Sequence, residues 1–188
     1  MNEYMEKIIE KTTNQITVLK ESIGKLSSVF DSWEIYELKN KLKRKEVILE
    51  GLKYFATLDL DGYGSLTISN YFYINFDKLG RFNFGIKNEI ESEVYDYVYN
   101  SHSELNRIAH DKLGSFLSPI MSNYKSLEDL FNFSNWEIND VDKSKNRLVY
   151  ILKSIVEELT SDKVKPFLEL AEKYVDMLIE KGKKEYDE

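Results

Sequence analysis

The chain of 188 residues has no cysteine, two prolines and two histidines. Without cysteine it cannot form a disulfide, use a thiolate nucleophile or build a cysteine-ligated zinc site. No stretch approaches the ~20 apolar residues that a membrane span needs. The N-terminus also lacks the basic and apolar regions of a signal peptide. We therefore expect a cytoplasmic protein that does not enter a membrane.

Arginine is scarce, since it supplies only four of the 26 basic residues. The 33 acidic residues outnumber the basic ones, which gives a net charge of −7. An acidic surface disfavours nonspecific binding to nucleic acid, because phosphate contacts need Lys and Arg. It suits a basic protein partner. The scarcity of arginine, together with abundant Ile, Asn and Tyr, indicates an AT-rich genome of bacterial or phage origin.

The N-terminal segment has apolar residues at helical spacing, namely Ile9, Ile16, Leu19, Ile23, Leu26 and Phe30. A second helix is predicted to begin at Asp31, with Asp31 and Glu34 forming a capping box. The following segment Glu46–Ala56 fits either the end of this helix or the first strand of a sheet.

The middle of the chain changes to a period of two. Its runs of β-branched and aromatic residues are Phe55–Leu60, Leu66–Phe76 and Arg81–Lys87. Turn-forming residues at Asp61–Gly64 and Asp77–Gly80 separate these runs. The segment Glu89–Asn100 fits a helix or a fourth strand. We therefore predict an antiparallel β-meander of three or four strands.

Helical patterns return in the C-terminal part, at Ser103–Leu117, Leu127–Phe131, Arg147–Leu159 and Pro166–Lys181. Gly182 is predicted to cap the last helix. The sequence thus predicts an α+β fold, with the small β-meander packed against several helices and with helical N- and C-terminal segments. We expect a single domain over 1–188, made of N-terminal helices (1–54), the meander (55–100) and C-terminal helices (101–188).

The loop Asp59–Asn70 resembles an EF-hand calcium loop, which implies metal ligands at Asp59 and Asp61. It departs from the family at position five, where Tyr63 replaces a short oxygen ligand. Asn70 stands at position twelve in place of the bidentate Glu. The interpretation that we prefer is a β-turn whose glycines supply positive φ.

The segment Leu105–Asp111 resembles the Arg-Asn-x-x-Ala-His core of HEPN-type ribonucleases. Asn106 and His110 match that core, whereas Leu105 stands at its arginine position and Arg107 lies two residues away. The resemblance implies cleavage of RNA by Asn106, Arg107 and His110. The family is all-helical, which differs from the strand pattern of the middle segment.

Other catalytic signatures are absent from the sequence: it has no nucleophile elbow, no phosphate-binding glycine loop and no dinucleotide fingerprint. We expect no cofactor and no resident metal, and we favour a protein that is not an enzyme.

Two charged segments are candidate interaction surfaces. The first interleaves acids with tyrosines and consists of Glu91, Glu93, Tyr95, Asp96, Tyr97 and Tyr99. Tyrosine often anchors interfaces, and the acids suit a basic partner. The second is basic and consists of Lys39, Lys41, Lys43, Arg44 and Lys45. The alternative for the basic segment is a solvated helix face. The alternative for the acid-and-tyrosine segment is a core strand or helix with a polar outer face.

The function that we expect is non-catalytic binding of a protein partner, such as a basic toxin or nuclease. The chain would mask this partner in the manner of small acidic immunity proteins or phage anti-defence proteins. The alternative is the RNA-directed nuclease centred on His110.

Overall fold

The computed structural model of the protein describes residues 2–100 and 137–187. It confirms the α+β fold with a small antiparallel meander and helical terminal segments. The elements are α1 (Glu3–Lys25), α2 (Ser32–Phe55), β1 (Leu66–Thr67), β2 (Phe72–Phe76), β3 (Phe82–Ile86), α3 (Asn88–Glu93), a π-helical turn (Val94–Tyr99), α4 (Val141–Leu159) and α5 (Lys165–Tyr186). None of these helices is both long enough and apolar enough to cross a bilayer.

Helix α1 begins where Asn2 caps it. The Asn2 side chain accepts the backbone N–H groups of Tyr4 and Met5, at 3.1 and 3.2 Å. This satisfies two of the amides that a helix start leaves without a partner. The helix ends at Lys25. The predicted apolar stripe was therefore too long, and Phe30 is 88% exposed rather than buried.

The capping box predicted at Asp31 is wrong. Asp31 stands at the N-cap of α2 but makes no side-chain capping bond, and its carboxylate accepts the N–H of Ser27 at 2.8 Å. Helix α2 continues to Phe55, so Glu46–Phe55 is helix and the strand predicted from Phe55 is wrong. Helical burial explains this, because the last three turns bury Val47, Ile48, Leu52 and Phe55.

The predicted run Leu66–Phe76 forms two strands rather than one. The Ser69 hydroxyl accepts the N–H groups of Tyr71 and Phe72, and this local turn separates β1 from β2. The three strands of the described region are ordered β1-β2-β3. Strand β2 buries alternate residues, Phe72, Ile74 and Phe76, as the period of two predicts. The fourth-strand interpretation of Glu89–Asn100 is wrong, because α3 and the π-helical turn occupy that segment.

The predicted glycine turns are present, and each is closed by an aspartate. Asp61 Oδ1 accepts the backbone N–H groups two and four residues later, each at 2.9 Å. Gly64, three residues after Asp61, has a φ of 74°. The turn at Asp77 repeats this pattern, with Gly80 at a φ of 78°. A positive φ favours glycine, so residue type and backbone agree at both turns.

The chain forms two compact units. Among the residues that the structure describes, unit 1 comprises 2–66, 75–83 and 137–154, and unit 2 comprises 67–74, 84–100 and 155–187. The core of unit 1 includes Met5, Val47, Leu52, Phe55, Phe76, Phe82, Leu148 and Leu152. The core of unit 2 includes Phe72, Ile74, Val94, Val98, Ile155, Leu159, Leu168, Val175 and Leu178.

Helix α5 starts next to Pro166, as predicted, but Gly182 does not end it. The helix continues to Tyr186, and Gly182 is buried within it. A Cβ atom at position 182 would overlap the carbonyl oxygen of Tyr97. Glycine is therefore required here by the close approach of two backbones in unit 2, and not by a helix cap.

Replacing Gly182 by alanine is expected to destabilise unit 2 by about 1–3 kcal/mol, the usual cost of forcing an atom into a packed contact. The matched control is Gly24→Ala, because Gly24 is also helical and an added Cβ meets nothing within 4 Å. We expect the control to keep or raise stability by about 0.5 kcal/mol, since alanine favours the helix. Urea unfolding of both variants checks this, and equal midpoints would contradict the packing role of Gly182.

Candidate functional site

Acidic charge is concentrated in unit 2. Its described residues carry 13 Asp and Glu side chains against seven Lys, whereas those of unit 1 carry 15 acidic and 16 basic side chains. In the described part of the chain, the net negative charge thus comes from unit 2. The acid-and-tyrosine segment of the sequence lies in this unit.

The candidate surface is built on α3 and the π-helical turn. Val94 and Val98 point inward and form a hydrophobic cluster with Val175, Leu178 and Ile179 of α5. Their burial leaves the acids of the segment outward: Glu91, Glu93 and Asp96 are all exposed. Tyr95 is also outward, with 59% of its surface exposed. The structure therefore exposes Tyr95 and the three acids of the segment at the surface of unit 2.

The other two tyrosines of the segment are half-buried. Tyr97 packs on the C-terminal end of α5, with its ring edge-on to Tyr186 at 6.2 Å and the Lys183 ammonium 5.0 Å from the ring centre. Tyr99 lies edge-on to Tyr95 at 6.3 Å. Burial, followed by the charge of Glu91, raises the pKa of the Tyr99 phenol. Tyr97 and Tyr99 are thus half-buried against their neighbours, and Tyr95 is the tyrosine of the segment that is exposed for contact.

A π-helical turn gives this segment its geometry. The N–H of Asn100 donates to the carbonyl of Tyr95 at 3.2 Å, five residues back. Turns of this kind are rare in proteins overall, and those that occur often lie at functional sites. No local pattern predicted this turn, because Glu89–Asn100 fitted both a helix and a strand.

Two residues of α5, Lys183 and Tyr186, belong to this surface and were missed by the sequence analysis. Lys183 lies 3.6 Å from Glu93 as well as over Tyr97. Tyr186 is 70% exposed beside Tyr97. They are more than 80 positions away from the tyrosine segment, so periodicity could not connect them. The buried Gly182 marks the close contact near this end of the helix.

Tyr71 connects the start of β2 to α5 within unit 2. Its N–H donates to Glu172 at 3.2 Å, and its hydroxyl donates to the carboxylate of Asp176. The hydrogen bond to Asp176 is the first cause that raises the pKa of Tyr71 to about 12, followed by burial and by nearby carboxylate charges. A phenol with a raised pKa stabilises the folded state while it is protonated.

The stabilisation that the Tyr71 hydroxyl provides is expected to depend on pH. It should be complete below a pH of about 10, the ordinary pKa of tyrosine, and disappear as the pH rises through about 12. At pH 8, Tyr71→Phe should lower the stability of unit 2 by about 1 kcal/mol, since the bond is partly exposed and screened by solvent.

Urea unfolding of wild type and Tyr71→Phe across pH 8 to 12 tests this. The difference between the two proteins should shrink as the pH rises. A difference that stays constant over that range would show that the hydroxyl does not donate to a carboxylate. Tyr150→Phe is the control, because Tyr150 is 71% exposed.

The calcium candidates Asp59 and Asp61 lie at the loop before β1. Asp61 uses Oδ1 to accept two backbone N–H groups, and its carbonyl oxygen accepts the side-chain amide of Asn2 and the N–H of Gly64. These bonds form a turn. Over residues 2–100 and 137–187, no group of three or more His, Asp or Glu side chains could hold a metal ion.

The nuclease candidates Asn106, Arg107 and His110, together with His102, lie outside the described residues. So do the helices predicted at Ser103–Leu117 and Leu127–Phe131.

The basic segment is part of α2 and is only partly exposed. Lys39 and Lys41 are exposed, whereas Lys43, Arg44 and Lys45 are half-buried. The Lys43 ammonium donates to the carbonyl of Ile138 at 3.1 Å. Part of this segment therefore serves the structure of unit 1.

Comparison with protein-family models, with curated proteins and with solved structures finds no match to this chain.

Proposed function

We propose that the chain is a non-catalytic binding protein that masks a basic protein partner through unit 2. The observation that supports this proposal is that Tyr95 is exposed on a segment whose acids Glu91, Glu93 and Asp96 are exposed as well. A tyrosine held at the surface offers a large contact area at a low cost in side-chain entropy. The surrounding carboxylates favour a partner of opposite charge.

The rest of the surface supports the same mode of binding. Tyr97 and Tyr99 are fixed against α5 and Tyr95, so less side-chain entropy is lost when a partner binds. The excess of acids over the described residues of unit 2 should steer a basic partner towards it. Small acidic immunity proteins and phage anti-defence proteins mask basic toxins or nucleases in this way, and we place the chain in that functional class.

The experiment compares tagged proteins expressed in the source cells and purified with whatever they bind. The wild type should recover one basic protein at a 1:1 ratio, and raising the salt concentration should release it, because charge attraction contributes to the complex. The double variant Glu91→Lys and Asp96→Lys should lose this partner. Tyr95→Ala should weaken the complex by about 2 kcal/mol, the scale of an interface anchor.

Two matched controls test whether changing an exposed acid or tyrosine outside this surface has the same effect. Glu158→Lys removes an exposed acid of α4 from the same unit, and Tyr150→Ala removes an exposed tyrosine of unit 1. Both should recover the partner as the wild type does. Recovery of no stoichiometric partner, or of one that both sets of variants retain equally, would contradict the proposal.

A further inference from the structure

A cleft of about 330 Å³ in unit 1 is separate from the surface proposed above. Its walls are the first turns of α1, the turn at Asp61 and the hairpin between β2 and β3. The side chains that matter here are Tyr4, Lys7, Lys11, Tyr63 and Lys78. This volume lies in the range of small-molecule sites.

The cleft is positively charged within an acidic protein. Four basic side chains line it, and Asp77 is its one carboxylate. Asp77 is already held by Arg81 at 2.8 Å, and Lys7 is paired with Glu3 at 2.8 Å. Lys11 and Lys78 form no salt bridge to a carboxylate within the described ranges.

A third lysine, Lys45 of α2, adds to this charge. Burial is the first cause that lowers its pKa, and the charges of Lys78 and Lys11 are the next. The charges of Lys11 and Lys78, which line the cleft, thus act on Lys45. A multiply charged anion bound in the cleft would offset this positive charge.

Two tyrosine rings open onto the same cleft. Tyr63, in the turn at Asp61, is 75% exposed, and Tyr4, on α1, is 48% exposed. A Cβ atom at Gly64 would overlap the Tyr4 ring, so this ring packs directly on the turn backbone. Exposed aromatic rings of this kind are platforms on which nucleobases stack.

We propose that this cleft binds a nucleoside phosphate, with Lys11 and Lys78 holding the phosphates and Tyr63 stacking on the base. The cleft combines two chemistries that such a ligand needs, namely cations and an aromatic platform. This binding does not depend on the protein partner.

Isothermal titration of the full chain with ribonucleoside triphosphates and monophosphates tests the proposal. We expect at least one base type to bind and its triphosphate to bind more tightly than its monophosphate. Lys11→Gln and Lys78→Gln should each weaken binding about tenfold, the effect of losing one charge-assisted contact. Tyr63→Ala should weaken it by a similar factor, through lost stacking.

The controls are Lys53→Gln, an exposed lysine of α2, and Tyr150→Ala, an exposed tyrosine of α4, both in unit 1. Neither should change the affinity. The proposal is overturned if no nucleotide binds at millimolar concentration, or if the cleft and control variants bind alike. If inorganic triphosphate bound as tightly as the nucleotide, stacking of the base on Tyr63 would be excluded as a contribution to binding. If a single-stranded oligonucleotide bound and no nucleotide did, the ligand of the cleft would be nucleic acid and not a small molecule.

Discussion

The geometry of unit 2 depends on one close backbone contact, the approach of the Tyr97 carbonyl to Gly182. Only a residue without a Cβ atom allows α5 to come this near to the π-helical turn. Beside this contact, Val94 and Val98 join the cluster on α5 and Tyr95 is exposed. Tyr97, Lys183 and Tyr186 then pack around the same point. A glycine inside a helix is usually unfavourable, and here the packing around it offsets that cost.

The two units differ in charge and in the chemistry they offer. The described part of unit 2 is acidic and exposes Tyr95. The described part of unit 1 is close to neutral, yet it gathers Lys11, Lys45 and Lys78 from three elements. The net charge of the whole chain therefore does not show that the acids of unit 2 and the lysines of unit 1 create local fields of opposite sign. Local fields, rather than the total, decide which ligands are attracted.

Much of the fold could be predicted from local patterns. The period of two identified β2 and β3, and the Asp–Gly turns were visible because aspartate and glycine each have a specific backbone role there. Helix ends were harder. The stripe that extended to Phe30 and the run at Phe55 are apolar in sequence, but tertiary packing buried Phe55 in a helix and left Phe30 exposed. Gly182 was assigned to a cap because a distant backbone contact has no local signature.

The candidate surface was predictable in composition but not in arrangement. Acids alternating with tyrosines identified the segment, whereas the π-helical turn decided that Tyr95 is outward and that Tyr97 and Tyr99 pack inward. The cleft of unit 1 was not predictable, because its lysines and tyrosines come from parts of the chain that only the fold brings together. The single-domain organisation over 1–188 stays a prediction beside the two compact units.

The most direct test of the proposed binding surface is hydrogen–deuterium exchange of the chain, alone and with a protein that co-purifies with it. The proposed binding mode predicts slower exchange on binding in residues 88–99 and around Lys183 and Tyr186, because those backbones carry the side chains that the partner would cover. Slower exchange confined to unit 1, with residues 88–99 unchanged, would contradict it.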